Sequence, residues 1–254
     1  MTMRVATFNI LHGRSPEDDE VHVDRFARAI GTLGADVLAL QEVDRNQPRS
    51  RNADLTRVAA DVMGAGEHRF VAALAGSPGS TWMAATGDEQ PDDAAYGIAL
   101  LSKYPLTAWQ VVRLPSMRAR VPMRFGHRVL PTWVRDEPRV AVAANVSTPA
   151  GDLTVVTTHL SFVPRWNRHQ LRLLVRALAH RRRPLLLTGD LNMSGELAGR
   201  VSRLRPVAAH PTFPSHHPRE QLDHVLVDGD VTVRCSEAVR LPVSDHRALL
   251  VDLD

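Results

Sequence analysis

The chain has 254 residues, 44% of them hydrophobic, enough for a sizeable core in one large domain or two small ones. No segment approaches the roughly 18 apolar residues of a membrane span, "MTMRVATFNI" has neither the apolar run nor the basic lead-in of a signal peptide, and the single Cys235 excludes an internal disulfide and a cysteine-based zinc site. The net charge of +3 is carried almost wholly by arginine, since Lys103 is the only lysine; this charge does not by itself identify a nucleic-acid partner, and a cytoplasmic protein is expected.

Taken in chain order, short apolar runs alternate with helical patterns, without internal repeats or a linker. "RVATFNI" predicts a strand. In "VHVDRFARAIGTLG" the residues Val23, Phe26, Ile30 and Leu33 recur at helical spacing, and Gly34 can end that helix. "DVLALQEV" is a buried strand, "ADLTRVAADVMG" a second helix and "HRFVAAL" another strand. "YGIALLSKYPL" and "AWQVVRL" are successive strands. In "RVAVAANVSTPAGDLTVVTTHLS" two β-rich runs flank turn chemistry at "TPAGD", a hairpin signal.

A third helix follows in "PRWNRHQLRLLVRALAHRRR", with Leu171, Leu174, Val175 and Leu178 on one face and Pro164 suited to the first turn. "LLLTGD", "LDHVLV", "VTVRCSEAV" and "RALLVDL" complete the strands. Helices interspersed with hairpins imply mixed sheets covered by helices in one domain, residues 1–254. Two long stretches rich in Gly, Pro or charge, "AGSPGSTWMAATGDEQPDDAA" and "PSMRARVPMRFGHRVLPTWVRDEP", resist assignment and read as lids, binding loops or mobile loops.

Polar residues recur where the apolar runs end. Asn9 closes the first strand and Glu42 follows "LALQ"; His159 ends "LTVVTTH", and Asp190 and Asn192 follow "LLLTG". Asp223 opens "DHVLV", while Asp245 and His246 precede the last strand. Each has a structural explanation alone: a turn residue, a surface carboxylate, a satisfied histidine, a cap. Strand ends can nevertheless converge at one rim. The combined inventory of carboxylates, carboxamides and two histidines, without an obvious serine or cysteine nucleophile, suits a hard cation and water attack on a phosphoester. Mg²⁺ accepts one or two carboxylates and takes further oxygens from water and phosphate, and a histidine oriented by a carboxylate can handle a proton.

In sequence and order, "TFNI", "LQEVD", "YGIALLSKYPL", "TTHLS", "TGDLN", "LDHVLV" and "SDHRALL" resemble the endonuclease/exonuclease/phosphatase superfamily over about residues 4 to 253. "GDLN" followed by "DHV" and a near-terminal "SDH" is the most specific part. The resemblance implies an α/β fold, a four-layer α/β/β/α sandwich with two packed mixed sheets, and a Mg²⁺-dependent phosphoester hydrolase, with Mn²⁺ a possible substitute.

The resemblance also implies roles. Glu42 is the principal metal ligand, Asn9 touches metal or phosphate, and Asp245 completes the metal environment. Asp190 positions or deprotonates the attacking water or holds a second ion, and Asn192 binds the phosphate. Asp223 and His246 form a carboxylate–histidine pair. His159 contacts phosphate and can assist the leaving group, and Arg139, in "EPRVAV", can clamp phosphate. Departures are Ile98 where many relatives carry Asn, and no clear acidic partner for His159, for which Asp92 and Asp93 are candidates. His12 in "HG" is a turn histidine or supports the site from behind.

Three readings of the substrate remain. A nuclease or nucleotide phosphodiesterase accords with two arginine clusters, Arg113–Arg139 and Arg165–Arg183, which are alternatively solvated faces. A lipid or inositol-phosphate phosphoesterase, sphingomyelinase-like, accords with Trp82, Met83, Trp133 and "VPMRFG" in the long loops, if these do not simply pack their loops. A non-catalytic interaction protein has against it the presence of every core chemical group.

Overall fold

Runs such as "LLLTGD" are apolar at consecutive positions because both faces of their strands are covered. The computed structural model describes residues 2–117, 120–123 and 132–254. In chain order these form β1 (Met3–Asn9), α1 (Val23–Thr32), β2 (Val37–Arg45), α2 (Leu55–Met63), β3 (Glu67–Gly76), β4 (Trp82–Ala84), β5 (Ala95–Ser102) and β6 (Leu106–Leu114). Next come β7 (Arg120–Met123), β8 (Thr132–Arg135), β9 (Arg139–Thr148), β10 (Gly151–His159), α3 (Trp166–Ala177) and β11 (Leu185–Asp190). The last are α4 (Gly195–Ser202), β12 (Arg205–Pro206), β13 (Asp223–Asp228), β14 (Val233–Val239) and β15 (Ala248–Leu253).

One sheet has seven strands in the order β14-β15-β1-β2-β5-β3-β4, and the other has six in the order β12-β13-β11-β10-β9-β6. Both are mixed. β1 runs parallel to β2 and antiparallel to β15, while β10 runs parallel to β11 and antiparallel to β9. The sheets face one another across Val5, Val37, Ala39, Leu100, Val142, Val155, Leu186 and Val251. α1 and α2 cover the outer face of the first sheet through Phe26, Ile30, Leu55 and Ala59. α3 and α4 cover the second through Leu171, Leu174, Leu178 and Ala198. This is the expected four-layer α/β/β/α sandwich.

The helix boundaries follow local chemistry. Gly34, at φ +58°, lies just past the end of α1, in the left-handed conformation that terminates helices. Asp54 caps α2 by accepting from Arg57 N at 3.1 Å. α3 differs from expectation at both ends of its pattern. Arg165, at φ 72°, is its N-cap, so Pro164 precedes the helix rather than occupying its first turn. Val175 is half-buried, whereas Leu171, Leu174 and Leu178 are buried.

The two unassigned stretches are not structureless. The first supplies β4, an edge strand pairing Leu74–Gly76 with Trp82–Ala84. The second supplies the ribbon β7–β8, with Trp133 opposite Pro122; its "RFGHRVLP" segment, with Arg124 and Arg128, and also Arg118, lie outside the described residues. α4, within "MSGELAGRVS", carries too few apolar positions to stand out in the sequence. Ile98 lies in the apolar core between the sheets, opposite Gln41 and Val71, where van der Waals packing takes the place of a hydrogen bond.

Candidate active site

The parallel pairings β1–β2 and β10–β11 bring the C-terminal ends of four strands to one rim of the sandwich, and the antiparallel neighbours begin there. Asn9 ends β1, His159 ends β10 and Asp190 ends β11. Asp190 is register partner to His159 on one side and to Asp223 on the other. Arg139 starts β9, and Asp245 and His246 immediately precede β15. Glu42 sits at a break in the β2–β5 register, at φ 57°, where a bulge re-aims it.

Side-chain contacts join these residues into one network. Asn9 Nδ2 donates to Glu42 Oε1 at 3.1 Å and to Asp190 Oδ2 at 3.0 Å, so one amide ties the two sheets together. The backbone N–H of Asn192 donates to Asp190 Oδ1 at 2.9 Å. Asn192 Nδ2 donates to Leu160 O at 3.0 Å and lies 3.3 Å from His159 Nε2. Asp190 Oδ2 is 3.6 Å from His159 Nε2 and 3.7 Å from His246 Nε2, which places it between two imidazoles. His246 Nδ1 donates to Asp223 Oδ2 at 2.8 Å, and the ring is backed by Phe213 at 4.9 Å between centroids.

A second tier holds this network in place. Ser244 Oγ donates to Asn9 O at 2.6 Å and accepts from His246 N at 3.0 Å, coupling the two ends of the chain. Ser215 N donates to Asp245 O at 2.6 Å. Asn167, on the inward face of α3, donates to Asn192 O at 2.7 Å.

Burial and charge set the protonation states. Burial raises the Glu42 carboxyl, reinforced by Glu137 and Asp245, while the Asn9 hydrogen bond and His246 pull the other way. Burial also pushes Asp190 up to about 7, with Asp223 adding to the rise and His246 and Asn9 opposing it. His246 responds oppositely: burial favours its neutral form, but Asp223 above all, with Asp190 and Asp245, holds it up to about 10. His159 is pushed well below the usual imidazole range by burial and by the charges of Arg139 and His246. One imidazole is therefore a cation and the other neutral.

Asp190, Asp223 and His246 each present a ligand-type atom within 4.8 Å of the others, a spacing that a metal ion could also use. His246 Nδ1 already faces Asp223 Oδ2 at 2.8 Å, so a cation held by all three would replace the proton that this pair shares. Glu42 and Asp245 carry the carboxylate oxygens that a hard divalent cation takes, and Asn9 faces Glu42 through Nδ2 while its Oδ1 accepts from Leu11 N at 3.1 Å, so Asn9 would ligate only with its amide turned over. Glu42 supports that fit, being a carboxylate crowded by other carboxylates and receiving a single hydrogen bond among the described residues, from Asn9.

The structure thus brings Asn9, Glu42, His159, Asp190, Asn192, Asp223, Asp245 and His246 to one rim. Arg139 is buried on the His159 side, 3.7 Å from Glu137. Asp92 and Asp93 are exposed and do not bond His159; Asp93 instead accepts from Gln90 N at 2.8 Å. His12 is half-buried in a turn at φ 48°, and burial above all, with the charges of nearby Arg49 and Arg14, lowers it to about 3.

Sequence reading missed Arg49, held by Asp44 at 2.7 and 2.8 Å, lying over the Tyr96 ring at 5.4 Å and close enough to Glu42 to feel that carboxylate's charge. It also missed Asn167. A signal existed for the latter: Asn167 shares the apolar face of Leu171, Leu174 and Leu178. A groove of about 670 Å³ lined by Trp82, Met83, Arg135 and Glu137 adjoins Arg139, whereas one of about 500 Å³ lined by Met3, Asp152 and Asp254 lies at the far ends of the strands.

A model of the endonuclease/exonuclease/phosphatase family matches residues 6–246. No curated protein matches the chain. Among solved structures, the chain resembles an endonuclease/exonuclease/phosphatase from Beutenbergia cavernae DSM 12333, with 22% identity and a TM-score of 0.69 over 99% of this chain and 71% of that one. It resembles the human Nocturnin catalytic domain, with 18% identity and a TM-score of 0.62 over 100% and 94% of the two chains. It also resembles sphingomyelinase C from Streptomyces griseocarneus, with 18% identity and a TM-score of 0.63 over the full length of both. At these identities the likeness establishes a shared fold.

Proposed function

This chain belongs to the endonuclease/exonuclease/phosphatase family, and from that premise we propose that it is a divalent-metal-dependent phosphodiesterase acting on nucleotides or nucleic acid. The observation that carries the reading is the Asn9 amide joining Glu42 to Asp190, with a charged His246–Asp223 pair on the other side of Asp190. Glu42 and Asp245 would hold Mg²⁺, or Mn²⁺ in its place, with Asn9 beside them turning its amide oxygen to the metal or its Nδ2 to the phosphate; the cation would supply positive charge to the phosphate and to water at the site.

The protein's own groups divide the remaining work. Asp190, pushed up to about 7, accepts the proton of the attacking water at neutral pH. Asn192 Nδ2, preorganised by Leu160 O, donates to a phosphate oxygen as charge builds on it. His246 carries a proton that Asp223 retains, and it stabilises the anionic phosphorus centre. Neutral His159 and cationic Arg139 contact the phosphate from the β9–β10 side, and the leaving oxygen departs as an anion hydrogen-bonded by neutral His159 and takes its proton from solvent water.

The deciding experiment is a screen of DNA, RNA, nucleoside diesters, inositol phosphates and sphingomyelin with Mg²⁺ and Mn²⁺, with Asp190→Ala as the blank. Turnover of a nucleotide or nucleic-acid diester that requires metal and vanishes in Asp190→Ala is expected. Silence across the whole panel would revive a non-catalytic role. Trp133 and Met83, each 62% exposed, favour a second reading in which the substrate lies in a lipid surface. Vesicle binding that Trp133→Ala abolishes is its signature; vesicle binding that survives the substitution removes its support.

A further inference from the structure

The core between the two sheets is built from Val, Leu, Ile and Ala, with Met3 at its edge, and holds a polar tie close beneath the site. Gln41 is fully buried, as are Thr7 and Thr157. Gln41 Nε2 donates to Thr7 Oγ1 at 3.1 Å within the first sheet and to Thr157 Oγ1 at 3.0 Å across to the second. Side chains at i and i+2 of a strand share a face. Thr7 therefore stands one step below Asn9, Thr157 one step below His159, and Gln41 immediately precedes Glu42. One step is about 7 Å of strand, so the two threonines lie one layer below the site, and Gln41, register partner of Asn9, reaches down to join them.

Apolar contact between sheets is non-directional and leaves their lateral offset weakly specified. Hydrogen bonds with fixed geometry do specify it, and in a dry interior they do so strongly. We infer that Gln41, with Thr7 and Thr157, is a positioning strut that sets the offset between the Asn9–Glu42 half of the site and the His159–Asp190 half. It touches no substrate and acts through the strands that carry the reacting groups. The inference concerns how the site is held and applies whichever phosphoester is the substrate.

The test separates positioning from stability. A triple variant, Thr7→Val with Gln41→Leu and Thr157→Val, removes every polar atom of the strut together and leaves no orphaned partner, so it should fold with thermal stability at or above that of the wild type. Its kcat on a small aryl phosphodiester with Mn²⁺ should nevertheless fall at least about tenfold, and toward 100-fold if the halves shift by about 1 Å, while KM stays nearly unchanged. Thr157→Ser, which keeps the hydroxyl, should turn over like wild type, and Thr157→Val should not.

A folded triple variant with wild-type kcat would overturn the strut, as would equal losses in Thr157→Ser and Thr157→Val. A wild type without turnover on any phosphoester would instead sink the hydrolase reading. In that case, crystal structures of the wild type and the triple variant still decide the matter. A change of about 0.5 Å or more between Glu42 and Asp190 supports the strut, since sites are held to about that tolerance, and superimposable sites refute it.

Discussion

A side chain at position 189 would strike the neighbouring strand: a Cβ added to Gly189, at φ +131°, would lie 1.9 Å from Thr158 O. The glycine lets β10 and β11 close up just before His159 and Asp190, so Gly189→Ala should cost about 3 kcal/mol from overlap and backbone strain together. A urea midpoint close to wild type would contradict this. Glu42→Ala should behave in the opposite way, leaving folding intact while metal-dependent turnover is lost. Normal rates at saturating metal would show that the cation is held elsewhere. Asn192→Ala removes a preorganised donor and should lower kcat about 10²–10³-fold, the range for such donors. A KM effect with unchanged kcat would mean that Asn192 binds the ground state only.

At the scale of elements, α3 is the support of the histidine side. Its Leu171 and Leu174 are fully buried against Val156, Leu187 and Leu191, on the strands and loop that present His159 and Asp190. Asn167, on the same face, holds the carbonyl of Asn192. Leu171→Ala should cost about 2–5 kcal/mol, as large-to-small changes in packed cores do. Asn167→Ala should cost less stability but more activity, because Asn192 loses its anchor while the helix keeps its apolar stripe. Equal losses of kcat in the two variants would mean that Asn167 merely packs. Strand β4, through Trp82 and Met83, and Arg135 at the end of β8 line the groove beside Arg139, so variation there should alter which ester enters rather than whether hydrolysis occurs.

For the whole molecule, the two ends of the chain meet in one sheet, where β1 pairs with β15. Arg4 grips Asp252 through Nε at 2.7 Å and Nη2 at 2.9 Å. The Arg4 hydrogen bond holds the Asp252 carboxyl below its ordinary value of 3.8. A group depressed in the folded state stabilises it above that ordinary value, and the contribution is lost as pH falls through the folded value. Unfolding midpoints measured from pH 6 to 2 should therefore drop below about pH 4, and Asp252→Asn should flatten that acid limb. An unchanged pH profile in Asp252→Asn would show that other carboxylates set the acid limit.

Apolar period and turn chemistry alone determined most strands, the helices α1, α2 and α3 and the layered α/β class, because each is a local preference written every two or three to four residues. They also singled out the polar residues at strand ends, since a carboxylate closing an apolar run is legible wherever it stands. Long-range assembly decided the rest. That β6 leaves β5 to pair with β9 of the other sheet depends on which edges remain open, and β4, β7 and β8 exist only because an edge or a partner strand receives them. The joining of Glu42 to Asp190 by Asn9, the opposite charge states of His159 and His246, and the tie from Gln41 to Thr157 lie in no local window. They arise from burial and from charges brought together across two sheets, which only the folded chain creates.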